Sequence, residues 1–477
     1  MAVDSTNPVY DELTPLWTAV RDAAAGERAV KDKGEDYLPS LGGQDATEYA
    51  AFKARASFFN ATGRTVDGLS GMVFRKPPEQ EFPEGMNAFM EDVTLGGMDF
   101  QGFAETLTEE VLVVGRTGIL VDFPRVETGG FTQAEADRMN LRPFWSLYKT
   151  EAIIDWRVGQ VGNKTVLTQV RLLETASEPE DEFTDREVEQ IRVLDLDGEL
   201  LYRQRLYRRK ELEGQRGKSR MEWVQFGDDI LPSMNSKRLD FIPFIFTGPR
   251  DCTPHCCKPP LIDLADKNLD HYRMDADYKH SLHFIAAGST RWVKGVSEDE
   301  INSGNFDSVG PTALLASTSA EAEFGISEPS GQGIPAQRLA LQDAEQQMAV
   351  LGARMLSPDK KQAEAAETAA IHRQGEASVL ASLAMAVSIA LTKALEIARD
   401  WTGLKGEVVV KLNTDYTAQG MSSADLIALT KALQDGGISQ LSYIEALQRG
   451  EVLRADLDAE EEIERLLQDQ FGPVTET

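Results

Sequence analysis

The feature that most constrains the fold is a pair of long helical patterns separated by a short segment rich in glycine and serine. Pro259 and Pro260 precede the first pattern, which runs from about 261 to 286, because the first turn of a helix tolerates proline. Pro335 opens the second pattern, which ends near residue 356. The residues between them, about 289–331, predict an irregular or β segment. This order predicts an antiparallel helical hairpin with a small module inserted at its turn.

The second helical pattern carries an apolar stripe whose members recur three or four residues apart. The stripe consists of Leu341, Ala344, Met348, Leu351 and Met355. Such a stripe is typical of a helix that packs along its length on a neighbour. A single copy of the chain would leave the stripe partly exposed, so we expect copies to pack side by side through it.

The chain before the hairpin is helical at first and β-rich later. Helical patterns dominate to about residue 125, with a capping sequence at Asp45–Glu48 and a helix over about 103–114. Gly68 and Gly71 are expected to interrupt the helical pattern. Strand periodicity takes over from about 143 to 247.

The β-rich part contains recognisable turns. Gly162-Asn163 and Asp197-Gly198 predict two hairpins. The segment from Glu174 to Glu189 is acidic and predicts an exposed loop. Pro243 lies within the last apolar run, 241–246, and predicts an edge strand, because proline cannot donate a hydrogen bond to a neighbour.

The chain after the hairpin is predicted to be mainly helical. A long alanine-rich helix runs from about Gln362 to Trp401, and a strand follows from Glu407 to Leu412. The apolar run Ala377–Thr392 is shorter than the roughly 20 residues that a membrane span needs. We therefore interpret it as a buried core helix and not as a membrane or partner helix. Two or three short helices, joined at Gly436-Gly437 and Gly450, are expected at the C-terminal end.

The charge balance limits the partners that the chain can hold tightly. It has 49 basic and 78 acidic residues among 477, a net charge of −29. Tight static binding of nucleic acid needs a basic face, and this composition argues against it, but not against a surface past which DNA slides. The three cysteines exclude a disulfide scaffold. The N-terminus lacks a basic and an apolar signal region, so we expect assembly in a reducing cytoplasm.

Two groups of residues could supply enzyme chemistry, and we interpret both as structural. Gly214–Ser219 ends like a phosphate-binding loop, but Leu212 stands where its first glycine is needed, which predicts an exposed loop. All three cysteines and four of the five histidines fall between Cys252 and His283. Thiolates and imidazoles are zinc ligands. A multidomain cytoplasmic metalloenzyme using this cluster is therefore one alternative function, and a generic structural scaffold is another. We expect no cofactor, no bound metal and no nucleotide hydrolysis.

Two blocks of the sequence resemble portal proteins of tailed bacteriophages. The first lies between Tyr49 and Pro78 and contains FKARASFFNATGRTVDGLSGMVFRKPP. The second runs from Pro259 to Tyr278 and reads PPLIDLADKNLDHYRMDADY. The most similar group is one of phage portals catalogued as a domain of unknown function. The order of elements extends the resemblance over nearly the whole chain, and these two blocks are its specific part.

The resemblance implies an α+β, portal-like fold with a mixed α/β wing, a helical stem, a small clip module and a helical C-terminal crown. It implies that about twelve copies form a ring, the head–tail connector at one capsid vertex of the virion. Double-stranded DNA then passes through the ring during packaging and ejection, without sequence specificity. The implied partners are terminase, the major capsid protein and tail or adaptor proteins, with no membrane. The chain itself would not be an enzyme, because the packaging ATPase is terminase.

The resemblance also implies a mapping of segments in chain order. Residues 1–258 form the wing, 259–286 the first stem helix, 287–331 the clip, 332–356 the second stem helix, 357–420 the tunnel loop, the long helix and the returning wing strand, and 421–477 the crown.

On the same mapping, the end of the second stem helix and the break after it line the DNA channel. The cations of this region are Arg338, Arg354, Lys360 and Lys361. Repeated around a ring, each becomes a circle of positive charge that contacts passing phosphates transiently. The alternative is that these side chains form pairs between subunits with Asp343, Glu345 or Asp359.

Overall fold

The computed structural model describes most of the chain. The described residues are 3–124, 138–213, 219–235, 237–287, 290–302, 317–327, 331–356, 378–416 and 423–450, with 452–453, 457–459, 462–463 and 465. Within them the chain is mixed α+β, as the sequence predicted. The helices are α1 (Pro8–Ala25), α2 (Glu27–Asp32), α3 (Ala46–Arg55), α4 (Ala61–Val73), α5 (Asn87–Glu91), α6 (Phe100–Val114), α7 (Ile262–Ala287), α8 (Glu298–Asn302), α9 (Ile334–Ala353), α10 (Val379–Thr402), α11 (Ser423–Gln434) and α12 (Gln440–Arg449).

The strands are short at both ends of the chain and long in its middle. They are β1 (Glu79–Glu81), β2 (Thr117–Asp122), β3 (Phe144–Lys149), β4 (Ile153–Val161), β5 (Lys164–Pro179), β6 (Asp185–Leu196), β7 (Tyr202–Glu213), β8 (Ser219–Gln225), β9 (Ser233–Met234), β10 (Lys237–Arg238), β11 (Phe244–Thr247), β12 (Thr290–Lys294), β13 (Glu323–Ser327) and β14 (Val409–Lys411).

The strands form five antiparallel arrangements. Strands β4 to β8 make a five-stranded meander in chain order, and β2 lies between β11 and β3 in a three-stranded sheet. The remaining strands pair in twos, β1 with β14, β9 with β10, and β12 with β13. The predicted hairpin turns and the edge position of β11 after Pro243 are thereby confirmed.

The N-terminal helices form as their capping residues predict. Asp45 accepts hydrogen bonds from the amides of Thr47 and Glu48, and the Glu48 side chain returns one to Asp45, which completes the capping box. The expected interruption at Gly68 and Gly71 is wrong, because α4 runs through both. Its buried face packs on α1 and α6, and this tertiary packing outweighs the low helix propensity of glycine.

The acidic segment predicted as an exposed loop is largely β-strand. Strand β5 continues to Pro179 and β6 begins at Asp185. Charges on facing strands explain the difference. Glu174 accepts hydrogen bonds from Gln190 at 2.7 Å and Arg192 at 2.6 Å, and Glu178 pairs with Arg208. The acidic composition indicated a loop because the partners of these carboxylates lie on other strands, and a short stretch of sequence does not show them.

The structure describes the second half of the predicted alanine-rich helix. The Ser378 side chain accepts a hydrogen bond from the Ala381 amide at 3.1 Å and caps α10, which starts at Val379. The predicted helical stretch from Gln362 to Ala377 lies outside the described residues. Most of α10 faces the core, where it packs on α6, β2 and β11. Among the described residues it is the one helix long and apolar enough to cross a membrane. Its burial agrees with the interpretation as a core helix.

The helical and β-rich parts are joined by a charged cluster. Arg21 of α1 donates to Glu110 of α6 at 2.9 Å and to Glu151 at 2.7 Å, and Lys149 of β3 lies 3.2 Å from Glu110. Burial raises the pKa of Glu110, but the hydrogen bond and charge of Arg21 and the charge of Lys149 outweigh it. The pKa of this carboxyl is therefore held below its usual value of 4.5.

Because its pKa is depressed in the folded chain, Glu110 contributes stability that is complete above the pKa of the unfolded state and is lost as the pH falls through the folded value. We expect Glu110→Gln to lower the free energy of unfolding at pH 7 by roughly 1–3 kcal/mol, because Arg21 and Lys149 lose the buried negative charge with which they pair. The variant should also lose less stability than wild type between about pH 5 and pH 3. Urea unfolding at several pH values measures both. The control is Glu109→Gln at the exposed neighbouring position; an equal effect in the control would contradict this role.

Candidate functional site: the helical hairpin

Helices α7 and α9 form the antiparallel hairpin that the sequence predicted. Two contacts fix their relative level: His271 Nε2 lies 3.6 Å from Glu345 Oε1, and Gln337 Nε2 donates to Ser281 Oγ at 3.4 Å. Strands β12 and β13 pair at the turn of the hairpin, with Trp292 opposite Gly325. A small β module is therefore present where a Gly/Ser-rich insert was expected.

The apolar stripe of α9 is buried within the chain. Leu341, Ala344, Met348 and Met355 are each less than one-tenth exposed, and the helix on which α9 packs is α7 of the same copy. The expectation that this stripe joins neighbouring copies is therefore wrong. Periodicity predicted correctly that α9 packs along its length on a neighbour, but it cannot tell a neighbour in the same chain from one in another copy.

One fully buried side-chain amide holds the hairpin at its root, the end where α7 begins and packs on α4. Asn268 of α7 accepts hydrogen bonds from the backbone amides of Ala61 and Thr62, at 3.1 and 3.0 Å, and from the Thr62 hydroxyl at 3.0 Å. Its own NH₂ group donates to the Phe59 carbonyl at 2.8 Å. The first amides of a helix have no partner inside it, so a side chain of α7 satisfies the start of α4.

Further polar contacts extend this root along α7. Asp275 accepts from the Ser57 amide at 2.8 Å, and Lys279 bonds the Ser57 hydroxyl and pairs with Asp275. Arg273 donates to the carbonyl of Tyr37 at 2.9 Å. The two sequence blocks that carry the portal resemblance, 49–78 and 259–278, are thus in direct contact through these groups.

The far half of the hairpin is much less covered than its root. Large apolar side chains there are between about one-third and three-fifths exposed: Leu282, Phe284, Ile285, Trp292, Ile301, Phe324 and Leu339. Apolar surface concentrated in one region of a chain indicates an interaction surface. The hairpin therefore combines a fixed root with a far end whose apolar side chains the other described residues leave exposed.

The cations expected to line a channel are only partly described. Arg338 in α9 and Arg354 in the short turn after it (Arg354–Leu356) are both exposed, and neither has an ion pair with another described residue. The two arginines are sixteen positions apart, and at about 100° per residue they lie on nearly opposite sides of the helix. They therefore do not form one channel face. Lys360, Lys361 and Asp359 lie outside the described residues, as does most of the predicted loop at 214–219.

The cysteines and histidines of the enzyme alternative are not brought together. Cys252 lies against the Ala386 carbonyl of α10, and Cys256 is buried near Arg116. His271 and His280 instead pack against the rings of Phe59 and Phe52, in a tilted and an edge-to-face arrangement. Burial raises the pKa of all three thiols. Among the residues that the structure describes, no three His, Cys, Asp or Glu side chains are placed to hold one metal ion.

Arg116, beside Cys256, is an unusual buried cation. Its guanidinium lies 3.8 Å from the ring centre of Trp156 and 4.7 Å from that of Phe246. None of its side-chain nitrogens has a hydrogen-bond partner among the described residues. Burial lowers its pKa to about 10. The two aromatic faces therefore take the place of a carboxylate.

Reasoning from the sequence missed Asn268, which contributes most to the hairpin root. A polar residue in a charged helix is usually exposed. The segment around it, DLADKNLDHYRMDAD, has charged residues throughout and does not mark one side of the helix as buried. The available signal was its spacing from buried neighbours: Leu264, Ala265, Leu269 and Tyr272 are buried and share its side of α7.

Three comparisons bear on this region. A family model described as a domain of unknown function, DUF4055, matches residues 260–402, which span the hairpin, its β module and α10. None of the curated proteins matches the chain.

Two solved structures are similar to the chain. One is described as the virion of a native gene transfer agent particle, with a TM-score of 0.37 at 11% identity over 85% of this chain and 93% of that chain. The other is described as the neck of an empty gene transfer agent particle computed with C6 symmetry, with a TM-score of 0.38 at 13% identity over 84% of this chain and 91% of that chain. Both TM-scores are below 0.5, so neither match assigns a fold.

Replacing Asn268 should loosen the hairpin root. We expect Asn268→Ala to lower the free energy of unfolding by about 3 kcal/mol, because the buried Thr62 amide and hydroxyl lose the acceptor Asn268 and the Ala61 amide and Phe59 carbonyl keep only their bond to each other. Urea unfolding measures the change. The control is Lys267→Ala next to it, which removes only a surface pair with Asp270 and should change stability by less than about 0.5 kcal/mol. Equal losses for the two variants would show that Asn268 has no special role.

Proposed function

We propose that the chain is the subunit of a portal ring at one capsid vertex of a phage-like particle, with double-stranded DNA passing through the ring. The observation that carries the proposal is the helical hairpin, which has a β module at its turn and a root built from the two portal-like sequence blocks. A rooted hairpin with an open apolar far end is suited to lateral packing in a ring. The remaining partners on this proposal are terminase, the major capsid protein and tail or connector proteins.

The charge of the chain supports a passive role towards DNA. A net charge of −29 disfavours tight binding of a polyanion, which a channel must avoid if DNA is to move. Transient contacts would then come from the cations proposed for the channel. On this proposal the chain is not an enzyme, and a separate terminase supplies the energy for packaging.

Ring formation is the first test. We expect native mass spectrometry and negative-stain microscopy of the full chain to show closed rings of about twelve copies, because no other described residue covers the apolar side chains exposed at the far end of the hairpin, and packing against neighbouring copies would cover them. Purified chain that remains monomeric across micromolar concentrations, at low and physiological salt, would contradict the proposal.

Passage of DNA is the second test. We expect Lys360→Gln with Lys361→Gln to leave ring assembly intact but to change packaging efficiency or DNA retention, because two circles of positive charge are removed. The control is Lys164→Gln with Lys405→Gln, two exposed lysines outside the hairpin. A double variant that assembles, packages and retains DNA like wild type would remove the channel role of these two lysines.

A further inference from the structure

Two opposite charges on the hairpin lie close to the same level and have no ion pair with another described residue. The contact between Ser281 and Gln337 places Asp277 of α7 and Arg338 of α9 within about one helical turn of each other along the hairpin. Both side chains are exposed. Neither makes a hydrogen bond with another described residue, and the charge nearest to Asp277 on its own helix is His280.

These two charges belong to different faces of the hairpin. Asp277 shares one side of α7 with Asp266 and Asp270. Asp270 is paired with Lys267, and the charges of Lys258 and Arg273 act on Asp266, so Asp277 is the carboxylate of this side that is available to a neighbour. Arg338 is the one basic residue of α9 (Ile334–Ala353). The hairpin thus presents an available carboxylate on one helix and a single cation on the other.

Each charge has an exposed apolar neighbour. Phe284 lies two turns after Asp277 on the same face of α7 and is 51% exposed. Leu339 follows Arg338 directly, about 100° further around α9, and is 59% exposed. Each charge therefore has an uncovered apolar side chain beside it, and the two charges are of opposite sign.

We propose that these faces meet between neighbouring copies, with Arg338 of one copy paired to Asp277 of the next and with Phe284 and Leu339 covered at the same contact. This inference rests on the proposed ring, in which copies related by rotation hold their hairpins at the same height. Two different faces that complement each other make a head-to-tail contact, the kind that closes a ring. Arg338 then serves assembly, and the DNA-facing cations are found among the other residues.

Charge reversal tests this pairing in the full-length chain. We expect Arg338→Asp alone and Asp277→Arg alone to weaken each contact about tenfold, because like charges then face each other, so that rings dissociate at lower salt or higher dilution than wild type. The double variant Arg338→Asp with Asp277→Arg restores opposite charges and should recover assembly. Native mass spectrometry over a dilution and salt series measures this, and thermal unfolding should show that all variants remain folded.

The matched control is Arg354→Asp, a reversal of the exposed arginine on the opposite side of the helix. Any effect of this variant on assembly should not be rescued by Asp277→Arg. The pairing is overturned if rings form equally well in both single variants, or if the double variant does not recover assembly. Either result leaves the proposed ring itself unaffected. Rings of Arg338→Asp that assemble normally but retain DNA differently place Arg338 in the channel and also overturn the pairing. A wild-type chain that never assembles overturns both proposals.

Discussion

The arrangement of the molecule depends on a single buried amide, that of Asn268. It satisfies the first two amides of α4 and the carbonyl before them, so the start of one helix is completed by the middle of another. An unmade hydrogen bond in a buried position costs more than a made one contributes. The position of α7 against α4 is therefore strongly specified, and the direction of the whole hairpin follows from it.

Burial along α7 then falls from root to turn. Leu264, Leu269 and Tyr272 are almost completely buried, whereas Phe284 and Ile285 in the last turns are exposed. One helix thus belongs to the core at its start and to the surface at its end. A helix of 26 residues spans about 39 Å. At its far end the other described residues leave the apolar side chains exposed, which is the physical basis for proposing an assembly.

The sequence predicted those features that depend on local signals. Prolines placed the starts of α7 and α9 within one or two residues, and Asp197-Gly198 marked the turn between β6 and β7. The failures all concern partners distant in sequence. The acidic strands around Glu174 looked like a loop because Arg192 and Arg208 were needed to pair them. The apolar stripe of α9 was correct in pattern, but its partner was α7 and not another copy.

Pairing between residues distant in sequence also decides which charges the surface presents. Arginines of the five-stranded sheet are largely used internally: Arg171 with Asp155, Arg192 with Glu174, and Arg203 and Arg205 together with Asp195. Each of these clusters joins arginines to carboxylates, so the acidic excess of 29 is carried by the remaining side chains, and the surface as a whole repels a polyanion. Arg338 and Arg354 are exposed cations with no ion pair to another described residue. Their position around the hairpin decides whether they contact a neighbouring copy or a phosphate.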